Sequence, residues 1–286
     1  MSTVFLNGNY MPIEEAKISP LDRGFLFGDG IYEVIPSYSG KMVGFQGHID
    51  RMNNGLQAIG IVLNWHDTQW QTLCDTLSEK NGSGPLGIYL HVSRGADNKR
   101  FHAFPENITP TIFAMTFEIP VPKTPDLSTV GQGYALTSTE DLRWQRCHIK
   151  STALLGNVLH FQQGYEAGSQ ETLLFNNKNE LTEASASNIF IVKNGIIATP
   201  IQDNQILSGI TRGLIIDILA KDGTLTVEER IVTLDEVRSA DEIWITSSSK
   251  EIAPVTMLDD TKVGDGQVGQ VWLKAATLYF NNKFSY

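Results

Sequence analysis

Cysteine is nearly absent: Cys74 and Cys147 are the only two in a chain of 286 residues, and they stand far apart. That spacing excludes a disulfide framework and a thiolate metal site, and a reducing compartment such as the cytoplasm is expected. Positive charge is also scarce. With 22 Lys and Arg against 32 Asp and Glu, the formal net charge of −10 leaves no surplus for a phosphate backbone or an anionic membrane. Neither nucleic acid nor a membrane is expected as a partner. No apolar run approaches the ~20 residues of a membrane-crossing helix, and the opening MSTVFLNGNY has neither a charged n-region nor a long h-region. The six histidines lack H-E-x-x-H spacing and there is no C-x-x-C pair, so no metal is expected. FGDG, residues 27 to 30, is neither a dinucleotide fingerprint nor a P-loop, and a G-x-S-x-G elbow is missing.

What is present reads as a folded α/β chain. Hydrophobic residues make up 41% and charged residues 19%, which sets disorder aside. Asn7-Gly8, Ser39-Gly40 and Asn194-Gly195 each lie between apolar runs and predict β-hairpins. Residues 47 to 61 and 66 to 80 have helical spacing, whereas IYLHVSR and TIFAMTFEI read as strands, giving an α+β unit over residues 1–120. Pro120, Pro122 and Pro125 interrupt any regular element, so residues 121–126 are expected to link that unit to a larger α/β domain over residues 127–286. There, residues 151 to 168 predict a buried helix beginning just after Lys150, with Leu154, Val158, Phe161 and Tyr165 on one face and Ser151 or Thr152 as N-cap. Strands ETLLFNN and SNIFIVKNGIIAT, a helix over 211 to 223 and a strand DEIWIT follow.

Polar groups collect where these elements begin or end. SGITR precedes a helix, so the N–H groups of Ile210 and Thr211, with the Thr211 hydroxyl, would face an anion at its positive end. Ser247, Ser248 and Ser249 follow a strand and can add donors, and Arg51 can supply charge. Taken alone, these are equally a helix cap and a serine-rich turn. Lys150 stands at an apolar-leaning strand end, where a lysine is unusual unless solvated, and Arg143 or Arg146 beside it would favour the free amine as nucleophile. Glu183 by itself reads as a loop carboxylate.

Taken together, the blocks RGFLFGDGIYEVI (23 to 35), HIDRM (48 to 52), RGADNKRFHAFP (94 to 105), RWQRCHIKS (143 to 151), ELTEASASNIF (180 to 190), ILSGITRG (206 to 213) and EIWITSSSKEIAPV (242 to 255) resemble fold-type IV pyridoxal-5'-phosphate (PLP) enzymes, above all the D-amino-acid transaminases. The resemblance runs in register from about residue 4 to 275, and ordered blocks are far more specific than a lone motif.

The resemblance implies a small α+β domain, a larger domain with a closed or pseudo-barrel sheet, and PLP in the cleft between them. It makes Lys150 the Schiff-base lysine and proton shuttle, and Glu183 the partner of the protonated pyridine nitrogen. Arg51, Ile210, Thr211 and Ser247 or Ser248 would hold the phosphate, with Leu207 under the ring. Tyr32, Arg100 and His102 would trap the substrate carboxylate, the last two reaching over from the second subunit of a homodimer, and Ser249 is added to the substrate side. The implied reaction runs from a D-amino acid such as D-alanine to a 2-oxo acid such as 2-oxoglutarate. Branched-chain L-amino-acid aminotransferase, (R)-amine transaminase and aminodeoxychorismate lyase are the alternatives within the fold, and the Arg100-x-His102 pair favours the D-amino-acid branch. Ala186 stands where the resembled enzymes carry a serine, and His148 where they carry an acid.

Overall fold

The computed structural model describes residues 2–286, which form two compact units. The first comprises Met1–Val121 together with Ile149–Leu154. Its elements are β1 (Thr3–Leu6), β2 (Asn9–Pro12), α1 (Arg23–Phe27), β3 (Gly30–Tyr38), β4 (Lys41–Met42), α2 (Phe45–Ala58), α3 (Asp67–Lys80), β5 (Leu86–Ser93) and β6 (Thr111–Glu118). The strands form one antiparallel sheet in the order β2-β1-β6-β5-β3-β4. The period-two spacing of β5 places Ile88, Leu90 and Val92 on one face, fully buried with Ile31 and Ile35 of β3. Helices α2 and α3 cover that face with Ile49, Met52, Trp70, Leu73 and Leu77. Burying one such side chain contributes roughly 1.5–3 kcal/mol.

All three predicted hairpin turns form, with positive φ at both central residues: Asn7 and Gly8, Ser39 and Gly40, Asn194 and Gly195. The right-handed twist of paired strands selects that geometry, and asparagine, serine and glycine tolerate it.

The second unit comprises Pro122–His148 and Leu155–Tyr286. It contains β7 (Tyr134–Glu140), α4 (Leu155–Glu166), β8 (Glu171–Phe175), β9 (Leu181–Ala184), β10 (Asn188–Lys193), β11 (Ile196–Thr199), α5 (Ile210–Asp222), β12 (Thr226–Glu229), α6 (Leu234–Arg238), β13 (Glu242–Ser247), β14 (Glu251–Leu258), β15 (Thr261–Lys262) and α7 (Gln270–Asn282). Its mixed sheet runs β12-β11-β10-β13-β14-β7-β8-β9, with β15 added on β14. The end strand β9 passes into β10 through a turn closed by the Ala184 N–H and the Ser187 carbonyl, so the sheet curls back on itself as a half-barrel. Helix α5 packs on β13 and α7. No helix among the described residues is long and apolar enough to cross a membrane.

Two local expectations differ from the structure. The chain crosses into the first unit at Ile149–Leu154, because Ser151 bridges Ile31 and the Tyr32 N–H donates to the Lys150 carbonyl; a single cut near residues 121–126 makes no provision for this. Helix α4 consequently begins at Leu155, and neither Ser151 nor Thr152 caps it: the Ser151 hydroxyl accepts from the Ala153 N–H, and the Thr152 hydroxyl donates to the Gly28 carbonyl. Nor is its apolar face buried within the chain, since Val158 is 57% exposed and Tyr165 68%.

Candidate active site

In the first unit, Lys150 lies half-buried beside β3 with its Nζ 3.2 Å from the Tyr32 hydroxyl and 4.2 Å from the centre of that ring. Tyr32 stacks on Tyr89, whose own hydroxyl bonds His91 Nδ1 at 3.0 Å. Burial pushes the Tyr89 phenol up to about 12 and holds the His91 imidazole below its ordinary value, so the groups packed behind Tyr32 are neutral.

One residue beyond Tyr32, Glu33 is fully buried. It accepts from Arg51 through Nε and Nη2, each at 2.7 Å, and from His48 Nδ1 at 2.7 Å. Burial alone would raise the Glu33 carboxyl, but the Arg51 guanidinium and the His48 ring together outweigh it and hold the group well below the usual carboxylate range. Burial likewise lowers the His48 imidazole, against the pull of Glu33. Sequence reasoning named Arg51 and missed these two partners; the available signal was the i, i+3 spacing of His48 and Arg51, which places them on one face of α2.

Arg100 and His102 are exposed on the loop between β5 and β6. Within the chain they do not gather on Tyr32. Both lie against Phe27, with the Arg100 guanidinium 5.1 Å and the His102 ring 5.2 Å from the centre of its ring.

In the second unit, Glu183 at the end of β9 is the hub. Its Oε1 accepts from Arg143 Nη1 at 2.6 Å, and its Oε2 accepts from Asn188 Nδ2 and from the Leu207 N–H, each at 3.1 Å. Burial pushes the Glu183 carboxyl up to about 7, against the pull of Arg143 and the Leu207 N–H. Of the two arginines expected to favour the free Lys150 amine, Arg143 is held by Glu183, both oxygens of Asp141 and the Gln205 carbonyl, and Arg146 is exposed. A buried guanidinium is satisfied by carboxylates, which this loop supplies.

Asn188, not singled out in the sequence, also donates to the Leu207 carbonyl, so it joins Glu183 to the segment leading into α5. That segment needs glycine at its next turn: a Cβ on Gly209 would lie 1.9 Å from Asn188 Oδ1. Gly209 is the N-cap of α5 and has no side-chain cap, which leaves the first N–H groups of Ile210 and Thr211 outside the helical ladder. The Thr211 side chain is buried at that end. Ser247 closes β13 and accepts the Lys250 N–H on its hydroxyl, Ser248 follows half-buried in the turn, and Ser249 is exposed. The hydroxyl of Thr246 is buried with no partner among the described residues.

These residues suit PLP by the chemistry of their donors. A helix N-terminus with open N–H groups and neighbouring hydroxyls fits a phosphate. A buried carboxyl fits a ring nitrogen, and an amine held against a phenol fits an aldehyde carbon. No group of His, Cys, Asp and Glu that could hold a metal occurs among the described residues.

Comparison with known proteins agrees. Residues 30–258 match the family model described as amino-transferase class IV. The chain is 37% identical over 270 residues to a D-alanine aminotransferase of Listeria monocytogenes, covering 94% of this chain and 91% of that one. It is 38% identical over 272 residues to a D-alanine aminotransferase of Staphylococcus epidermidis, covering 95% and 94% respectively. Among solved structures, a branched-chain amino acid aminotransferase from Thermobaculum terrenum, in its PLP-bound holo-form, superposes with a TM-score of 0.86 at 21% identity, over 99% of this chain and 94% of that one. A branched-chain amino acid aminotransferase from Escherichia coli superposes at 0.86 with 21% identity, over 98% and 93%.

Proposed function

Because the chain belongs to the class IV aminotransferase family, we propose that it is a cytoplasmic, homodimeric enzyme that carries PLP on Lys150 and transfers amino groups between D-amino acids and 2-oxo acids. The observation that carries this reading is the single amine of the Ile149–Leu154 segment, Lys150 Nζ, held on Tyr32 in a chain whose curated relatives are D-alanine aminotransferases.

Bound PLP supplies an electron sink for charge developing at the substrate Cα. Lys150 binds the cofactor and moves the Cα proton, with the Tyr32 hydroxyl holding its amine. Glu183 keeps a proton on the ring nitrogen, and its contacts with Arg143, Asn188 and Leu207 fix the carboxylate in place. The N–H groups of Ile210 and Thr211, the hydroxyls of Thr211, Ser247 and Ser248, and Arg51 bind the phosphate, while Leu207 supports the ring. Glu33 and His48 hold the Arg51 guanidinium in position.

Tyr32, Arg100 and His102 take the substrate carboxylate, with Ser249 at the edge of the substrate side. Since Arg100 and His102 sit on Phe27 within their own chain, they would serve the site of a second copy. The exposed apolar face of α4, which includes Leu155, Val158, Leu159 and Tyr165, supports association with that copy. Both cysteines are free and buried, in keeping with a reducing compartment.

Borohydride reduction of the purified protein followed by peptide mapping tests the assignment. The pyridoxyl group is expected on Lys150, and its appearance on another lysine such as Lys193 would refute it.

A further inference from the structure

The block RGFLFGDG has no part in the chemistry above, yet Arg23 and Asp29 within it anchor a buried polar network of the first unit. Arg23, 3% exposed, spends its guanidinium on one short stretch of loop: Nη1 donates to the Phe101 carbonyl at 2.5 Å and to that of Ala103 at 3.4 Å, and Nη2 to that of His102 at 3.0 Å. Its Nε donates to Asp29 Oδ2 at 2.8 Å. Asp29 also takes Arg94 on both oxygens, at 2.8 and 2.9 Å, and Arg94 in turn donates to the Ile59 and Gly60 carbonyls and lies 3.5 Å from the centre of the Phe104 ring. Burial would raise the Asp29 carboxyl, but the two guanidinium groups hold it below the usual range. Four residues on from Arg23, the Phe27 ring has Arg23 at 4.8 Å, Arg100 at 5.1 Å and His102 at 5.2 Å from its centre.

We infer that Arg23 and Phe27 are positioning residues for the substrate carboxylate: Arg23 clamps the backbone of residues 101 to 103, and the Phe27 ring is the platform on which the Arg100 and His102 side chains are held. The inference rests on the carboxylate role of Arg100 and His102 proposed above. An exposed loop arginine has rotamer freedom to lose on binding, and a ring that already fixes the guanidinium removes part of that cost. A fork-shaped donor is needed to hold three successive carbonyls, so lysine cannot replace Arg23.

The test uses the PLP-loaded enzyme and the variants Phe27→Leu, Arg23→Lys, Arg100→Ala and the double variant Phe27→Leu with Arg100→Ala. Steady-state kinetics with D-alanine and 2-oxoglutarate are combined with amide hydrogen exchange over residues 97 to 108. Phe27→Leu is expected to raise KM for D-alanine about three- to ten-fold, the range of a partly desolvated cation–π contact, with little change in kcat. Arg23→Lys is expected to speed exchange across residues 101 to 104, and Phe27→Leu covers the case in which Arg23→Lys fails to fold. If the platform acts through Arg100, the double variant has the KM of Arg100→Ala alone. Multiplying effects in the double variant, or wild-type KM and exchange in both single variants while Arg100→Ala is impaired, would overturn the positioning role and leave the carboxylate trap standing. A wild-type KM in Arg100→Ala would overturn the trap, and this inference with it.

Discussion

The Arg143 guanidinium donates to Glu183 at 2.6 Å from a side chain only 3% exposed, so the carboxylate proposed to pair with the ring nitrogen already has one cation bound on its Oε1. The pair is buried, and Asp141 on the far face of Arg143 completes an acid-base-acid row. Removing the middle member strands two carboxylates. Arg143→Gln is therefore expected to cost roughly 3–5 kcal/mol of folding stability, the usual consequence of breaking a buried pair from one side. Urea denaturation of the cofactor-free protein at about pH 8, where Glu183 is ionised, measures it directly, and a loss below about 1 kcal/mol, the level of a surface pair, would show that the row is solvated.

The same carboxyl gives the apoprotein a pH dependence with a definite sign. Burial raises Glu183 from its ordinary value to about 7 in the folded chain, so folding favours its protonated form. Its stabilising contribution is complete below the unfolded pKa and is lost as pH rises through about 7, a swing on the order of 3 kcal/mol. Apoprotein stability should fall between about pH 5 and about pH 8, and Glu183→Gln should flatten that slope. Equal slopes in the two proteins would mean that Glu183 stays ionised throughout.

Glu183→Gln should also leave the fold intact and strongly slow turnover, because a neutral amide no longer favours a protonated ring nitrogen. A single-turnover half-reaction with D-alanine separates this from product release. An unchanged rate would remove Glu183 from the mechanism.

How much of this was legible in the sequence depended on whether the signal was local. The hairpins at Asn7-Gly8, Ser39-Gly40 and Asn194-Gly195 are written in two-residue chemistry, and all three formed. Strand β5 carried its alternation in full, and α5 was read from its own apolar spacing over residues 211 to 223. The crossing of Ile149–Leu154 into the first unit was not legible, because it depends on backbone pairing with Gly30, Ile31 and Tyr32, more than a hundred residues earlier. The partners of the site residues were hidden for the same reason: Arg143 lies forty positions from Glu183 in sequence, and the pairing of β7 with β8 and of β8 with β9 brings them together. Helix α4 misled because its apolar spacing says that a face is covered without saying by what.

That face gives a separate prediction. Leu159 is 61% exposed within the chain, so Leu159→Glu should leave the folded unit intact and shift the proposed dimer to monomer. Sedimentation velocity at micromolar concentration measures this. A variant that remains dimeric would place the interface elsewhere.

The most direct test of the central claim, transamination of D-amino acids with the carboxylate held by Arg100, His102 and Tyr32, is the rate at which D-alanine and L-alanine convert the cofactor in one stopped-flow half-reaction. The wild-type enzyme should react with D-alanine at least tenfold faster than with L-alanine, and Arg100→Ala should lose about tenfold to a hundredfold in kcat/KM for D-alanine, the equivalent of one charge-assisted bond, while keeping its cofactor absorbance. Equal rates with the two enantiomers, or full D-alanine activity in Arg100→Ala, would contradict the account.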